Sequence, residues 1–321
     1  MKNNHTTHPH EKNPESQTNE AIPLIQTSIP ARENPRAVYA DPRSDVVFRR
    51  IFGDDRCPEL LLSLLNAFLD LPDTHKIRTI QLRDPWQAPL SRGLKQSTLD
   101  VCARDERGTE YIVEMQVAGN LGFTNRMVYY ASKSYASQLE PGKSYPDLNS
   151  VVLLGICDFV ITSPSEQNGT CMAHYRARRD HKYPEDNVFK QLQFHLAELP
   201  RFSKDEKELE TVRDEWLYFF RYASELKCIP ETIRTPEVRR AFELASHASW
   251  SREDWLEYDA WFKRTWEQND LLSESWQKGI KRGLERGRFQ ERAELTEKVS
   301  TNLRERGFSA EEIESILCAA N

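Results

Sequence analysis

Leu99-Asp-Val-Cys-Ala-Arg-Asp-Glu-Arg-Gly-Thr-Glu-Tyr-Ile-Val-Glu-Met-Gln116 is the stretch on which the reading of this chain turns. Two alternating runs flank a polar turn, Asp105 to Thr109. That pattern predicts a β-hairpin. A three-residue loop, Glu106 to Gly108 with Gly108 in the left-handed region, sets Asp105 opposite Thr109. In this register Asp100 lies opposite Glu114 and Thr98 opposite Gln116. Strand alternation then puts Asp100, Glu114 and Gln116 on one face. Leu99, Val101, Ala103, Tyr111, Val113, Met115 and Val117 share the other face, which is apolar and should pack on the core. Two carboxylates opposed across a ladder, about 5 Å apart at Cβ, repel one another. Two readings stand at this point. Both acids could point into water, or they could hold a divalent cation. Hard carboxylate oxygens, completed by waters and a phosphate, suit Mg²⁺.

The hairpin sits in a mixed pattern. Residues 1 to 40 are polar and are expected to be a disordered tail. Asp45 to Phe52 has helical spacing, with Ser44 as N-cap and Gly53 at its end. A leucine-rich helix follows over 58–69, opened by Pro58. Strands are predicted at 77–82, 98–103, 110–117 and 151–157, with further extended segments at 171–177 and 187–195. A helix is predicted over 123–139. The run Val151 to Cys157 is continuously apolar, as a buried central strand is. From Lys204 onward helical spacing dominates. Trp216, Phe219, Phe220 and Ala223 form one stripe, and five of the seven tryptophans fall between 250 and 276. Those five are read as helix-packing core. The last helix, 310–320, carries the capping box Ser309 and Glu312. The division expected is a polar tail (1–40), an α/β domain (41–203), a helical domain (204–275) and a charged helical tail (276–321).

Composition narrows the function classes. The chain has 321 residues, and 29% of them are charged. Its six cysteines are scattered without a CxxC pair, so neither a zinc ribbon nor a disulfide framework is indicated, and a reducing cytoplasm fits. No apolar run is long enough to cross a bilayer, and no membrane partner is expected. The net charge of -6 excludes a protein held to nucleic acid by overall charge alone. It leaves room for local basic patches. Arg176-Ala-Arg178-Arg179 is the densest in the core, and residues 278–306 hold nine Lys or Arg against five Glu. The tail has Gly279, Gly283 and Gly287 at every fourth position. Charged residues between them exclude a membrane packing motif; helical self-association or a solvated charged helix remain.

The order of motifs resembles the PD-(D/E)xK nucleases. More closely it resembles the Rpn family of recombination-promoting nucleases, also called PD-(D/E)xK family transposases. Asp45-Val-Val-Phe48-Arg49-Arg-Ile-Phe52 matches that family's D-x-x-F-K-x-x-F opening. Leu64-Leu65-Asn66 matches its L-L-N helix. Asp100 and Glu114-Met-Gln116 match its aspartate strand and E-x-Q strand. Arg126 to Lys133 and Gly142 to Tyr145 match the R-x-x-x-Y helix and G-x-x-Y segment. The resemblance covers about residues 41 to 321. It implies an α/β, restriction-endonuclease-like core with an all-helical C-terminal region.

The resemblance also implies a Mg²⁺-dependent DNA endonuclease, with Mn²⁺ or Ca²⁺ as substitutes in vitro, and DNA as partner. Asp100 and Glu114 would be metal ligands, and Gln116 would position the attacking water. Asp45 could add an outer carboxylate, or simply be an acid favoured in the first turn of a helix. The wider superfamily has lysine where Gln116 stands, and glutamine carries no charge; Lys95 is expected to compensate. Arg49, Arg126, Tyr129, Lys133, Arg176, Arg178 and Arg179 are candidate DNA contacts. The C-terminal helices are a candidate homo-oligomer interface. The competing expectation is a catalytically impaired DNA-binding or multimerisation protein on the same fold.

Overall fold

A computed structural model describes residues 38–87, 97–119, 122–139, 141–142, 144–161, 170–178 and 188–319. The expected N-terminal tail falls outside these residues up to position 37. The described residues already pack on the body ahead of Asp41. Tyr39 and Ala40 are buried, and the Ala40 amide donates to the Ala245 carbonyl at 2.9 Å.

Helix α1 (Asp45–Phe52) starts where the Ser44 hydroxyl accepts from the Val47 amide, and it ends at Gly53. Its apolar spacing buries Val47, Phe48, Ile51 and Phe52 on one face. Helix α2 (Pro58–Phe68) opens with proline in its first turn and buries Leu60, Leu61, Leu64, Leu65 and Phe68. Strand β1 follows at Ile80–Arg83, then a two-stranded ribbon of β2 (Trp86–Gln87) and β3 (Ser97–Thr98). Next come β4 (Val101–Asp105), β5 (Glu110–Gln116), helix α3 (Phe123–Ser137), β6 (Val151–Cys157), β7 (Met172–Arg178) and β8 (Val188–Glu198). The main sheet has the order β1-β4-β5-β6-β8-β7. Its β5–β6 and β6–β8 pairs are parallel, and the other neighbours are antiparallel. Helix α3 is the crossover that the parallel β5–β6 pair requires.

Both faces of the sheet are covered. Val101, Ala103, Tyr111, Val113 and Met115 pack with α1, α2 and the later helices α4 (Val212–Tyr222) and α5 (Pro236–Ala245). Cys102, Ile112, Leu153 and Cys157 pack under α3, against Phe123, Met127 and Ala131. Strand β6 alternates between the two clusters, which explains its uninterrupted apolar run. Trp216 of α4 is fully buried among Phe52, Phe219 and Phe220. The α/β fold with a helical C-terminal region is therefore the one expected.

Three local expectations are corrected. Strand β1 begins at Ile80, not Ile77, because Asn66 holds Ile77 from both sides, with side-chain bonds of 2.9 Å to its amide and its carbonyl. The amides of Arg78 and Thr79 then go to the Glu106 carboxylate. The strand expected over 98–103 divides at Leu99–Asp100, where the chain bends between β3 and β4. Leu99 consequently packs with Ile112 and Phe123, on the face opposite Val101. Helix α6 (Arg252–Glu305) is one continuous element of 54 residues, about 80 Å long at 1.5 Å per residue. Only its root touches the body. Trp261 is buried there, Trp250 partly so, and Trp255 packs on His247 and Trp250 with its outer side exposed, whereas Trp266 and Trp276 are exposed where none of the described elements covers the helix. Helix α7 (Ala310–Ala319) follows Ser309, whose amide donates to the Glu312 carboxylate at 2.8 Å while its hydroxyl accepts from the Glu312 amide at 3.4 Å, the two bonds of a capping box.

Candidate active site

The hairpin forms in the expected register over Val101–Arg104 and Glu110–Val113, but Thr98, expected opposite Gln116, pairs with Trp86 instead. Val101 pairs with Val113 and Arg104 with Glu110, and Gly108 turns the loop at φ +86°. The ladder ends one residue before Asp100. Beyond it, side chains replace backbone pairing. The Asp100 amide donates to Glu114 Oε1 at 3.2 Å, and the Met115 amide donates to Asp100 Oδ2 at 2.9 Å. The bend thus swings Asp100 over the end of β5 beside Glu114. Glu114 is only 4% exposed, so the reading in which both acids face open water does not hold. Asp100 Oδ1 and Glu114 Oε2 accept no hydrogen bond from the described residues.

Burial raises the pKa of both carboxyls, Asp100 to about 6 and Glu114 to about 8. The neighbouring Asp100 charge raises Glu114 further, and Asp45 raises both. Arg126 opposes these effects at both carboxyls, and Arg49 at Asp100. A buried and a half-buried carboxylate left in these environments take up protons or a cation. Their donor set is hard oxygen, with one oxygen of each carboxylate open. That fits a divalent ion such as Mg²⁺, which takes one or two carboxylates and completes its shell with water and phosphate. No group of three or more His, Cys, Asp or Glu side chains is placed to hold a metal ion by itself among the described residues. Completion by water and substrate is therefore the arrangement these residues suit.

Other elements converge on the pair. Asp45 and Arg49 face each other on α1 at 3.8 Å, with both side chains about half exposed. Gln116 is fixed at both ends of its amide: its Nε2 donates to the Met115 carbonyl at 2.7 Å, and its Oε1 accepts from Arg126 of α3. Gly155 lies beside Glu114 in the parallel ladder. A Cβ there would come within 3.0 Å of Leu196 and 3.3 Å of Phe123 and Met127. The absence of a side chain lets α3 approach and lowers Arg126 to the strand.

A buried clamp ties α1 to the same strand ends. Arg43 grips Asp41 through two nitrogens at 2.7–2.8 Å and Asp158 at 2.7 Å. The Asp158 amide in turn donates to the Gln116 carbonyl at 2.9 Å. Periodicity does not mark these residues, since the Arg43–Asp158 partners lie more than 100 positions apart.

The remaining candidates are dispersed. Tyr129 is exposed on α3. Lys133 is 2% exposed, with its ammonium on the Gln87 carbonyl at 3.1 Å, so the fold turns it inward. Arg176 is exposed on β7, three strands from β5, about 14 Å away at normal strand spacing. Arg178 lies in β7, but its side chain is outside the described set, as are residues Lys95 and Arg179. Tyr130 belongs with the site, because it lies close enough to Glu114, Asp100 and Arg126 to feel their charges. It is also half-buried against the core under α3, the packing role its place at i+4 from Arg126 on an amphipathic helix suggests.

No curated protein and no solved structure matches the chain significantly. A family model described as PD-(D/E)XK nuclease family transposase matches residues 42–275. The match takes in α1, the hairpin, Arg126 and helices α4 and α5, which are the elements that build and support the carboxylate pair. This chain therefore belongs to the PD-(D/E)XK nuclease family transposases, a nuclease-like family.

Proposed function

We propose that the chain is a divalent-metal-dependent DNA endonuclease that hydrolyses phosphodiester bonds with low sequence specificity, in the manner of recombination-promoting, transposase-like nucleases. One observation carries this reading. Asp100 and Glu114, side by side at the end of β5 with one open oxygen each, are joined there by Asp45, Gln116 and Arg126.

Asp100 and Glu114 would hold the ion, Mg²⁺ by preference and Mn²⁺ or Ca²⁺ in vitro. When bound, it supplies Lewis-acid charge at the phosphate and lowers the pKa of water. The chain's own residues orient and neutralise. The second N–H of Gln116 Nε2 can donate to the attacking water and set its direction. The water oxygen bonds to phosphorus as the opposite ester bond breaks. The water loses a proton and the leaving oxygen gains one, leaving a phosphomonoester and a hydroxyl. Asp45 orders the outer hydration shell. Arg49, Tyr129 and Arg176 of β7 meet backbone phosphates away from the cut, while the exposed stripe of α6 and α7 supports self-association. The DNA-bound protein would be cytoplasmic and nucleoid-associated. No helix among the described residues is long and apolar enough to cross a membrane.

The test is nicking or linearisation of supercoiled plasmid by purified protein with Mg²⁺, against EDTA, Asp100→Ala and Glu114→Gln controls. Full activity in Asp100→Ala would sink the site assignment. A second reading, a DNA-binding protein without catalysis, is motivated by the neutral Gln116. It predicts a salt-sensitive DNA shift in a protein that cuts with neither Mg²⁺ nor Mn²⁺.

A further inference from the structure

We propose that Arg126 is the catalytic cation of this site, supplied from helix α3 in place of a charged residue on strand β5, and that Gln116 is the residue that positions it. The inference deepens the nuclease reading and rests on it. The third position of the strand motif is an uncharged amide, so charge at the scissile phosphate must come from elsewhere. Among the described residues three cations come near enough to consider. Arg49 is half exposed and paired with Asp45. Lys133 is turned inward onto the Gln87 carbonyl. Arg126 alone is half-buried and bonded to the motif itself, through Gln116 Oε1.

The position of Arg126 is built rather than incidental. The arginine lies in the first turn of α3, its guanidinium over the Phe123 ring at 5.4 Å. Gly155 allows that turn to sit close to the sheet. The Arg126 Nε is buried and finds no acceptor among the described residues. An unpaired donor in such a place is costly, and a phosphate oxygen would satisfy it. A guanidinium presents several N–H groups in one plane, so a single side chain can hold the Gln116 oxygen and a phosphate oxygen together. Its part is charge stabilisation and not proton transfer, because a guanidinium offers donors and no acceptor.

The same geometry explains why an amide suits position 116. Gln116 offers Arg126 an oxygen acceptor. A lysine there would set two cations against each other a few ångströms apart. The pair Gln116–Arg126 and a lone lysine at 116 are thus alternative ways to place one positive charge.

That equivalence defines the experiment. Single-turnover cleavage of a short duplex at saturating concentration is measured for Arg126→Gln, Gln116→Lys and the double variant. Duplex affinity is measured by anisotropy in EDTA. Arg126→Gln should lose about 100-fold or more in rate, as removal of one transition-state donor does, with affinity changed by less than about threefold. Gln116→Lys should also be impaired, and the double variant should regain at least about tenfold over Arg126→Gln, one cation having replaced another. A merely structural Arg126 would not be rescued by a charge at 116. An Arg126→Gln rate equal to wild type, or no rescue in a double variant with a wild-type melting temperature, would overturn the proposal. Mn²⁺ binding read by electron paramagnetic resonance supplies an arm independent of cleavage. Removal of a positive charge beside the carboxylates should tighten Mn²⁺ by about tenfold. An unchanged affinity would overturn the placement of Arg126, whereas a wild-type chain that cuts no DNA but shows the shift would instead remove the nuclease reading, and the catalytic part of this proposal with it.

Discussion

The body of the protein and its C-terminal arm use charge in opposite ways. In the body, Arg43, Asp41, Asp158 and Glu114 are buried and tied to groups on other elements. On the arm, Lys263–Asp259 and Lys278–Glu274 lie one turn apart on an exposed helix. Apolar residues divide in the same way. Phe52 and Trp216 are fully enclosed, while Trp276, Leu284 and Phe289 stand 48–76% exposed on the middle stretch of α6, which nothing among the described residues covers. A charge fixed in a low-dielectric interior holds a position and shifts its neighbours' pKa. The same charge on a solvated helix is screened and worth little. Position and not composition therefore makes one set of charges a candidate catalytic site and leaves the other a solvated surface.

The comparison can be broken most directly at the Arg43 clamp. Arg43→Met leaves Asp41 and Asp158 buried without their cation, and urea denaturation should register a loss of about 3–5 kcal/mol. Trp216→Ala should cost a similar amount, about 3–5 kcal/mol, through a large cavity between α1 and α4. A loss of less than about 1 kcal/mol in either, the size of an ordinary surface change, would show that the body is not packed as described.

The carboxylate pair gives a smaller effect with a definite sign. Burial raises the Glu114 pKa in the folded chain from the ordinary value of 4.5 to about 8. Between those values the native state holds more protons than the unfolded one, so stability falls as pH rises through the window. Without divalent metal, the wild type should therefore lose about 3 kcal/mol relative to Glu114→Gln between about pH 5 and pH 8. Millimolar Mg²⁺ should restore it, since metal binding favours the ionised carboxylates. Parallel melting curves with EDTA and with Mg²⁺ decide this, and a flat difference between the two proteins would remove the buried pair as a titrating unit. At the small end, Lys278→Ala on the arm should change stability by no more than about 0.5 kcal/mol. Deletion of 276–321 should leave the melting temperature of the body within a few degrees, because α6 is anchored only near its root.

Much of the site is legible in the sequence because its key geometry is local. Hairpin register follows from loop length and the left-handed Gly108, and strand alternation then sets Glu114 and Gln116 on one face, with Asp100 just beyond the end of the facing strand. The Ser44 cap and the Pro58 start are equally readable, being set within one helical turn. Lys133 is not. Its spacing from Arg126 suggests a shared phosphate-binding face, but the β2 carbonyl of Gln87 captures it from 46 residues away. The exposed tryptophans of α6 mislead for the complementary reason: apolar residues at helical spacing announce a buried face only when another element arrives to cover it.

The sequence by itself determined the periods of the elements, the hairpin turn and its register, and the membership of the acidic face. Each depends on backbone geometry and neighbours within a few positions. Only the tertiary structure decided that the strand bends at Asp100, that Glu114 is buried, that Gly155 lets α3 settle onto the sheet and that Arg126 then meets Gln116. Those outcomes depend on how closely distant elements pack, and a one-dimensional pattern does not carry that distance.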